Sequence, residues 1–478
     1  MMSETWVPEY YHTEMLEWLM ARKAAALWCG MGLGKTSATL TAISNLILEG
    51  GAKGALVICP HRCGPTAWEA QIRRWEHVNW MRIANMRTPE GRQAWEDGSA
   101  EIYWVNSERL PDIERNGKVS PGFVSKFIKR RKSLPVDILV WDELSQAKNP
   151  SSKRANALRP YLHDVGAFKT PFKRLIGLTG TPHPNSYADL FAQVRLLNPA
   201  IFGLSFPQWR ARHFDSDYMG WKWEIKPGAK EIIDAQLADF ALVMRSEDHL
   251  DLPDCTTIDV DVNLPRKAEA AYKTLEKDLL LELEEGDVEA LSAAALTTKL
   301  LQATAGCLYL SDSDGVAVLH DAKIKALRKL VNTHKGEPIL VVAHYIHERK
   351  RLLEAFPEAR EFDEADVPSW QAGEIPMWIA QSRQISHGID GLQDSGRIIV
   401  WVTPTYSWET YTQLVHRLVR PGQKHETLVY RLLCTDTIDW AVSGVLEEKE
   451  KGEKGLMAAV HALQQMRATP GAQSSNPL

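Results

Sequence analysis

The sequence predicts an α/β fold of two units, each a parallel sheet flanked by helices, with a helical insertion between them. Three observations predict it: short apolar runs, helix-spaced segments separating those runs, and a central stretch where the alternation stops. In the first part, residues 24–28, 55–59, 102–106, 136–141 and 174–179 are continuous apolar runs, as strands buried on both faces of a parallel sheet require. After the first run, Ala38, Ala42, Ile43, Leu46 and Ile47 recur at helical spacing until Gly50-Gly51 closes the helix. Residues 198–321 lose the alternation, and 268–283 and 288–301 read as Leu/Ala/Glu-rich helices. Strand–helix alternation returns with runs at 338–343, 375–381, 397–402 and 427–433. The expected division is 1–200 for the first α/β unit, 201–320 for the insertion and 321–467 for the second unit. A Pro-, Gly- and Ser-rich tail, 468–478, is expected to be disordered.

Composition narrows the function classes. The 478 residues suffice for about two to four domains. Hydrophobic residues at 44% and charged residues at 24% exclude collagen-like and membrane-embedded chains. Lys and Arg number 56 against 61 Asp and Glu, a net charge of −5, so binding to nucleic acid has to come from a local surface. The cysteines are scattered, with only Cys59 and Cys63 close, which argues for reduced thiols rather than zinc. The amino terminus lacks a secretory pattern, and no apolar run reaches the ~20 residues that span a bilayer. A soluble cytoplasmic protein with no membrane partner is expected.

Chemistry enters at Gly30-Met31-Gly32-Leu33-Gly34-Lys35-Thr36, between a strand and a helix. Backbone N–H groups of such a loop wrap phosphates and the helix N-terminus favours their charge. Lys35 would reach the β- and γ-phosphates of ATP, and Thr36 would ligate Mg²⁺. The strict pattern has glycine at position 29, where this chain has Cys29. The run 136–141 stops on Asp142-Glu143. Two adjacent acids ending a buried run suit a metal site: Asp142 would hold Mg²⁺ and Glu143 would activate the attacking water.

The order of motifs resembles the superfamily 2 helicases, and among them the Swi/Snf-type translocases on double-stranded DNA. Asp142-Glu143-Leu144-Ser145 followed by Lys148-Asn149 resembles their motif II, and Leu178-Thr179-Gly180-Thr181-Pro182, with Asn185 beyond, their motif III. Residues 55–60 with Trp68 and Trp75 resemble motif Ia, and 102–110 an Asn-Tyr-Glu motif in which Ser107 replaces Tyr. Ser386-His387-Gly388-Ile389-Asp390 resembles motif V, with Asp390 where Asn is usual. Gln413, Arg417, Arg420 and Gln423 follow motif VI, and Thr437-Ile438-Asp439 the closing signature. The resemblance spans residues 11–449 and implies two RecA-like lobes. It further implies catalytic roles for Arg417, Arg420 and Gln413, and places His12 where the family has an adenine-reading Gln, so that His12 is either a nucleotide contact or a structural histidine. Ser145 replaces the His of motif II; its hydroxyl can still hydrogen-bond across the cleft between the lobes, so coupling of hydrolysis to movement is expected to survive in altered form.

Arg417 and Arg420 lie three apart and are expected to share a helix face, from which two guanidinium groups can neutralise a γ-phosphate. Lys126, Lys129, Arg130, Arg131 and Lys132, with Lys148, Lys153 and Arg154, offer local charge for a nucleic-acid backbone. The implied function is an ATP-driven helicase or translocase on duplex DNA, independent of sequence. It would act in a bacterial cell or phage-infected host, with replication or recombination proteins as partners. An RNA helicase and the motor subunit of a restriction or packaging complex stay open, as does the oligomeric state. A built-in nuclease would need a Lys beside Asp254, Asp259 and Asp261, and the sequence has none there.

Overall fold

The computed structural model describes residues 3–449 apart from 116–117, 130–132, 165–168, 181, 183–185, 219–222, 286–289, 310–314 and 386–390. The chain forms two compact units, the first ending at Leu250 and the second running Asp251–Glu450. The first unit holds β1 (Ala24–Cys29), β2 (Ala55–Cys59), β3 (Ile83–Asn85), β4 (Ile102–Asn106), β5 (Ile138–Asp142), β6 (Arg174–Thr179) and β7 (Ala241–Met244). They form one sheet in the order β7-β1-β6-β5-β2-β4-β3, parallel at every pairing. The second unit holds β8 (Cys255–Val262), β9 (Ile339–Val342), β10 (Ala359–Glu361), β11 (Met377–Ala380), β12 (Ile398–Trp401) and β13 (Thr427–Cys434). Their order is β8-β13-β12-β9-β11-β10, again all parallel.

The apolar runs explain the layering. Along β1, Ala26 and Trp28 enter one core while Ala25, Leu27 and Cys29 enter the other. In the second sheet Leu340 and Val342 oppose Ile339 and Val341 in the same way. Strand side chains alternate between faces, so a run without polar gaps fills two cores at once. These are the two parallel-sheet units expected of RecA-like lobes. Among the described residues, no helix is long and apolar enough to cross a membrane.

The segment expected as a single insertion, 201–320, is divided between the units. Ala241–Met244 is an edge strand of the first sheet and Cys255–Val262 an edge strand of the second. Four apolar residues were too short a signal inside a helix-rich stretch. In Cys255–Val262, Ile258, Val260 and Val262 alternate with exposed Asp259 and Asp261, the period of a half-solvated edge strand. Asp259 forms a bidentate pair with Arg431 on β13, which gives that acid a structural use. Helices Arg266–Glu285 and Ala290–Thr304 follow in the second unit.

The closing signature is a clamp inside the second unit. Asp439 Oδ2 accepts from Cys434 N at 2.9 Å and pairs with Lys323 Nζ at 2.7 Å, and Oδ1 accepts from Thr304 Oγ1 at 2.7 Å. Both charged side chains are buried. Removing one member strands the other charge, so Lys323→Met is expected to cost about 3–5 kcal/mol. Urea unfolding measures this, and a loss under about 1 kcal/mol would show that the pair does not hold the unit together.

Candidate functional site

The phosphate-binding loop leaves the carboxyl end of β1 and enters helix α2 (Lys35–Leu48). Its ends are shaped by close packing that only glycine permits. Gly34, the N-cap, has φ +70°, and a Cβ there would lie 2.3 Å from His12 Nε2. A Cβ on Gly30 would lie 2.1 Å from Ser246 Oγ. The loop is also tied to the end of β7 and the short helix after it, since Gly30 N donates to Met244 O at 2.8 Å and Ser246 Oγ to Met31 O at 2.7 Å. Lys35 Nζ folds back onto Cys29 O at 2.7 Å and Gly30 O at 3.1 Å, placing the ammonium in the mouth of the loop. Cys29, which departs from the strict pattern, is the last residue of β1. Its side chain is fully buried, and burial pushes the thiol up to about 12.

His12 sits in helix α1 (Tyr10–Ala21), where Nδ1 accepts from Glu9 N at 3.0 Å in a capping box. Burial holds its pKa below the usual histidine range. The imidazole forms the floor beneath Gly34, with Nδ1 spent on the helix cap.

Motif II follows β5. Asp142 ends the strand, and Glu143 turns the chain with φ 60° and ψ 59°, a conformation costing on the order of 1–3 kcal/mol for a non-glycine residue and concentrated at functional sites. Glu143 Oε1 accepts from Ser145 Oγ at 3.0 Å and Thr179 Oγ1 at 3.1 Å. Ser145 is buried and spends its proton on Glu143. Leu144 plugs the space above Gly177 of β6, where a Cβ would meet it at 2.6 Å. A Cβ on Gly180, just beyond β6, would stand 4.0 Å from Lys35 Nζ. The adjacency β1–β6–β5 thus brings the phosphate loop, Thr179-Gly180 and Asp142-Glu143 to one edge of one sheet.

The donor set fits Mg²⁺ carried with a nucleotide. Mg²⁺ keeps several waters and takes one or two carboxylates plus phosphate oxygens rather than an all-protein cage. Asp142 and Thr36 would supply one carboxylate and one hydroxyl to such an ion, and among the described residues no cluster of three metal-binding side chains occurs.

Motif VI lies in the second unit and corrects one expectation. Helix Trp408–Val415 buries Gln413 and ends before either arginine. Arg417 and Arg420 stand in the following turns, both half-buried, so they do not share a helix face. Pro421 disfavours helical geometry at Arg420. Arg417 N and Leu418 N bond to Leu414 O and Val415 O, three residues back, as the last turn tightens. Arg420 Nε donates to His416 O at 2.8 Å, and Gln423 Nε2 to Gly396 O at 2.8 Å. Residues 130–132, Thr181, Asn185, the motif V stretch 386–390 and the tail 468–478 lie outside the described residues.

A model of the SNF2-related domain matches residues 11–308. The chain belongs to the SNF2-related family. It is 31% identical to protein p41 of Acyrthosiphon pisum secondary endosymbiont phage 1, over 92% of this chain and 95% of that one. It is 28% identical to the DNA repair and recombination protein RDH54 of Saccharomyces cerevisiae over 199 residues, 38% of this chain but a fifth of the yeast protein. The helicase domain of Hef from Pyrococcus furiosus shares the fold, with a TM-score of 0.53 at 15% identity, covering 91% of this chain and 97% of that domain.

In this SNF2-related chain, sequence reasoning passed over two site-forming residues. Ser246 braces the phosphate loop from the short helix that follows β7, inside the segment expected as an insertion; its signal was the apolar run 241–244 closed by Arg245-Ser246. Thr179 was noted only as part of motif III, and its bond to Glu143 depends on β6 lying beside β5.

Proposed function

We propose that this protein is an ATP-driven translocase on duplex DNA that hydrolyses Mg·ATP and moves without reading sequence. The observation that carries the nucleotide chemistry is the meeting of Lys35, Asp142 and Glu143 at the carboxyl edge of adjacent strands, where ligands of parallel sheets bind. In this reading Gly30, Met31, Gly32, Leu33 and Gly34 wrap the phosphates, Lys35 pairs with them, and Thr36 and Asp142 hold the metal. Glu143 takes the proton of the attacking water, and Arg417 and Arg420, together with Gln413, act on the γ-phosphate. Those last roles rest on the sequence pattern. His12 supports the nucleotide by bracing Gly34 rather than by offering Nδ1 to a base.

A basic face beside that site supports the nucleic-acid part. His61 and Arg62 follow β2, Arg87 follows β3 and Arg109 follows β4. Burial, and then the nearby guanidinium groups of Arg87, Arg62 and Arg109, hold His61 below the usual histidine range. Lys126 and Lys129 are exposed on the same unit. Such charge suits phosphates, which position without specifying. Work on a bacterial or phage genome, beside replication or recombination proteins, fits the phage relative.

ATPase titrated with duplex DNA, single-stranded DNA and RNA tests the proposal, together with displacement of a third strand from a triplex. Duplex DNA is expected to stimulate most, and displacement to stop at a long single-stranded gap. Affinity should change little with sequence but fall roughly a thousandfold between 50 and 200 mM salt, the lower end for about six phosphate contacts. Stimulation by RNA and not by duplex DNA overturns the reading.

A further inference from the structure

Trp68 carries a bond that the nucleotide site does not account for. Its indole is fully buried, and Nε1 donates to Asp142 Oδ2 at 2.9 Å. It stands in the π-helical turn Gly64–Glu69 that follows β2. The turn is pinned on its other side as well. Glu69 Oε1 accepts from Trp104 Nε1 on β4 at 2.9 Å, and Gly64 lies so near the Trp104 ring that a Cβ would sit 2.6 Å from it. A π turn carries an extra residue and recurs at functional sites. Here it lets two successive side chains, Trp68 and Glu69, reach two different strands.

The bond to Asp142 is no automatic result of burying a tryptophan. Among the described residues, the equally buried Trp28, Trp141 and Trp378 have indole N–H groups without a hydrogen-bond partner. An aspartate's terminal torsion is broad, and an N–H aimed at one oxygen of a carboxylate is a strong, directional restraint on it. We infer that Trp68 is a positioning residue that sets the plane of the Asp142 carboxylate and thereby the affinity of the nucleotide site for Mg²⁺. The inference rests on the reading of Asp142 as the metal's carboxylate.

The test titrates Mn²⁺ into the full-length protein with ADP bound, followed by electron paramagnetic resonance, beside the Mg²⁺ dependence of ATPase. Trp68→Phe keeps a buried ring and removes the donor. Its Mn²⁺ dissociation constant is expected to rise about tenfold, the lower end for loss of a ligand's supporting bond, while ADP affinity without metal stays unchanged. Trp104→Phe, which removes the bond to Glu69 and trims the ring against Gly64 but leaves the Trp68–Asp142 bond, should leave the Mn²⁺ constant within about twofold. If Trp68→Phe melts early, β-(3-benzothienyl)alanine at position 68 keeps the tryptophan shape without the donor. Asp142→Asn separates the two failures. If it weakens Mn²⁺ binding and a folded donorless variant at position 68 does not, the positioning role is overturned. If Asp142→Asn has no effect, the metal reading of Asp142 falls and this inference falls with it.

Discussion

Glu143→Gln is expected to bind Mg·ATP as the parent does and to hydrolyse it about 10²–10⁴-fold more slowly, the usual contribution of a positioned general base. The change is nearly isosteric, and the amide oxygen can still accept from Ser145 Oγ and Thr179 Oγ1, which now hold Glu143 Oε1. The left-handed turn at position 143 should therefore survive, leaving proton acceptance as the property removed. Lys35→Ala makes the complementary case. Lys35 Nζ bonds to Cys29 O and Gly30 O, neutral partners that it can exchange for phosphate oxygens in stronger, charge-assisted bonds. Its loss should weaken ATP binding and abolish turnover together. Equilibrium binding of a fluorescent ATP analogue and steady-state hydrolysis separate the two variants. Parent-like turnover in Glu143→Gln would remove that residue from the role of base.

Arg417→Ala and Arg420→Ala are each expected to lower kcat by about 10³-fold or more, the lower end for arginines that stabilise a transferring phosphoryl group. ATP affinity should change much less, because that charge is needed mainly as the transition state forms. Arg420 also shapes its own turn, with Nε on His416 O. Arg420→Lys should therefore lose more activity than a charge-only role predicts, since lysine keeps the charge but not the guanidinium's fixed fork. Single-turnover hydrolysis at saturating ATP measures both. Normal hydrolysis by both alanine variants would reduce motif VI to a structural turn.

How much of this was legible in the sequence depends on the range of the interaction. Local patterns determined the strands. Ala55–Cys59, Ile102–Asn106 and Arg174–Thr179 form with the bounds their apolar runs predict, because strands buried on both faces read as near-continuous apolar runs, here with polar residues only at their ends. The phosphate loop was equally legible, since its glycines, Lys35 and Thr36 are contiguous and their geometry is set by one strand and one helix. Weak local signals went astray. Ala241–Met244 is four residues long, and Cys255–Val262 carries two aspartates on its solvated side; pairing with β1 and β13 makes them strands. In motif VI, spacing alone implied a shared helix face, but Pro421 and the tightened turn after Val415 ended the helix first. Sheet order, finally, lay beyond any local pattern. That β6 lies between β1 and β5 puts Thr179 on Glu143, that β2 lies on the other side of β5 puts Trp68 on Asp142, and that β7 borders β1 puts Ser246 on the phosphate loop. Each of these bonds joins residues 36 to 215 positions apart. Only the tertiary fold decides them, because the hydrophobic burial that orders the strands is non-directional along the chain and specifies partners only once both cores have closed.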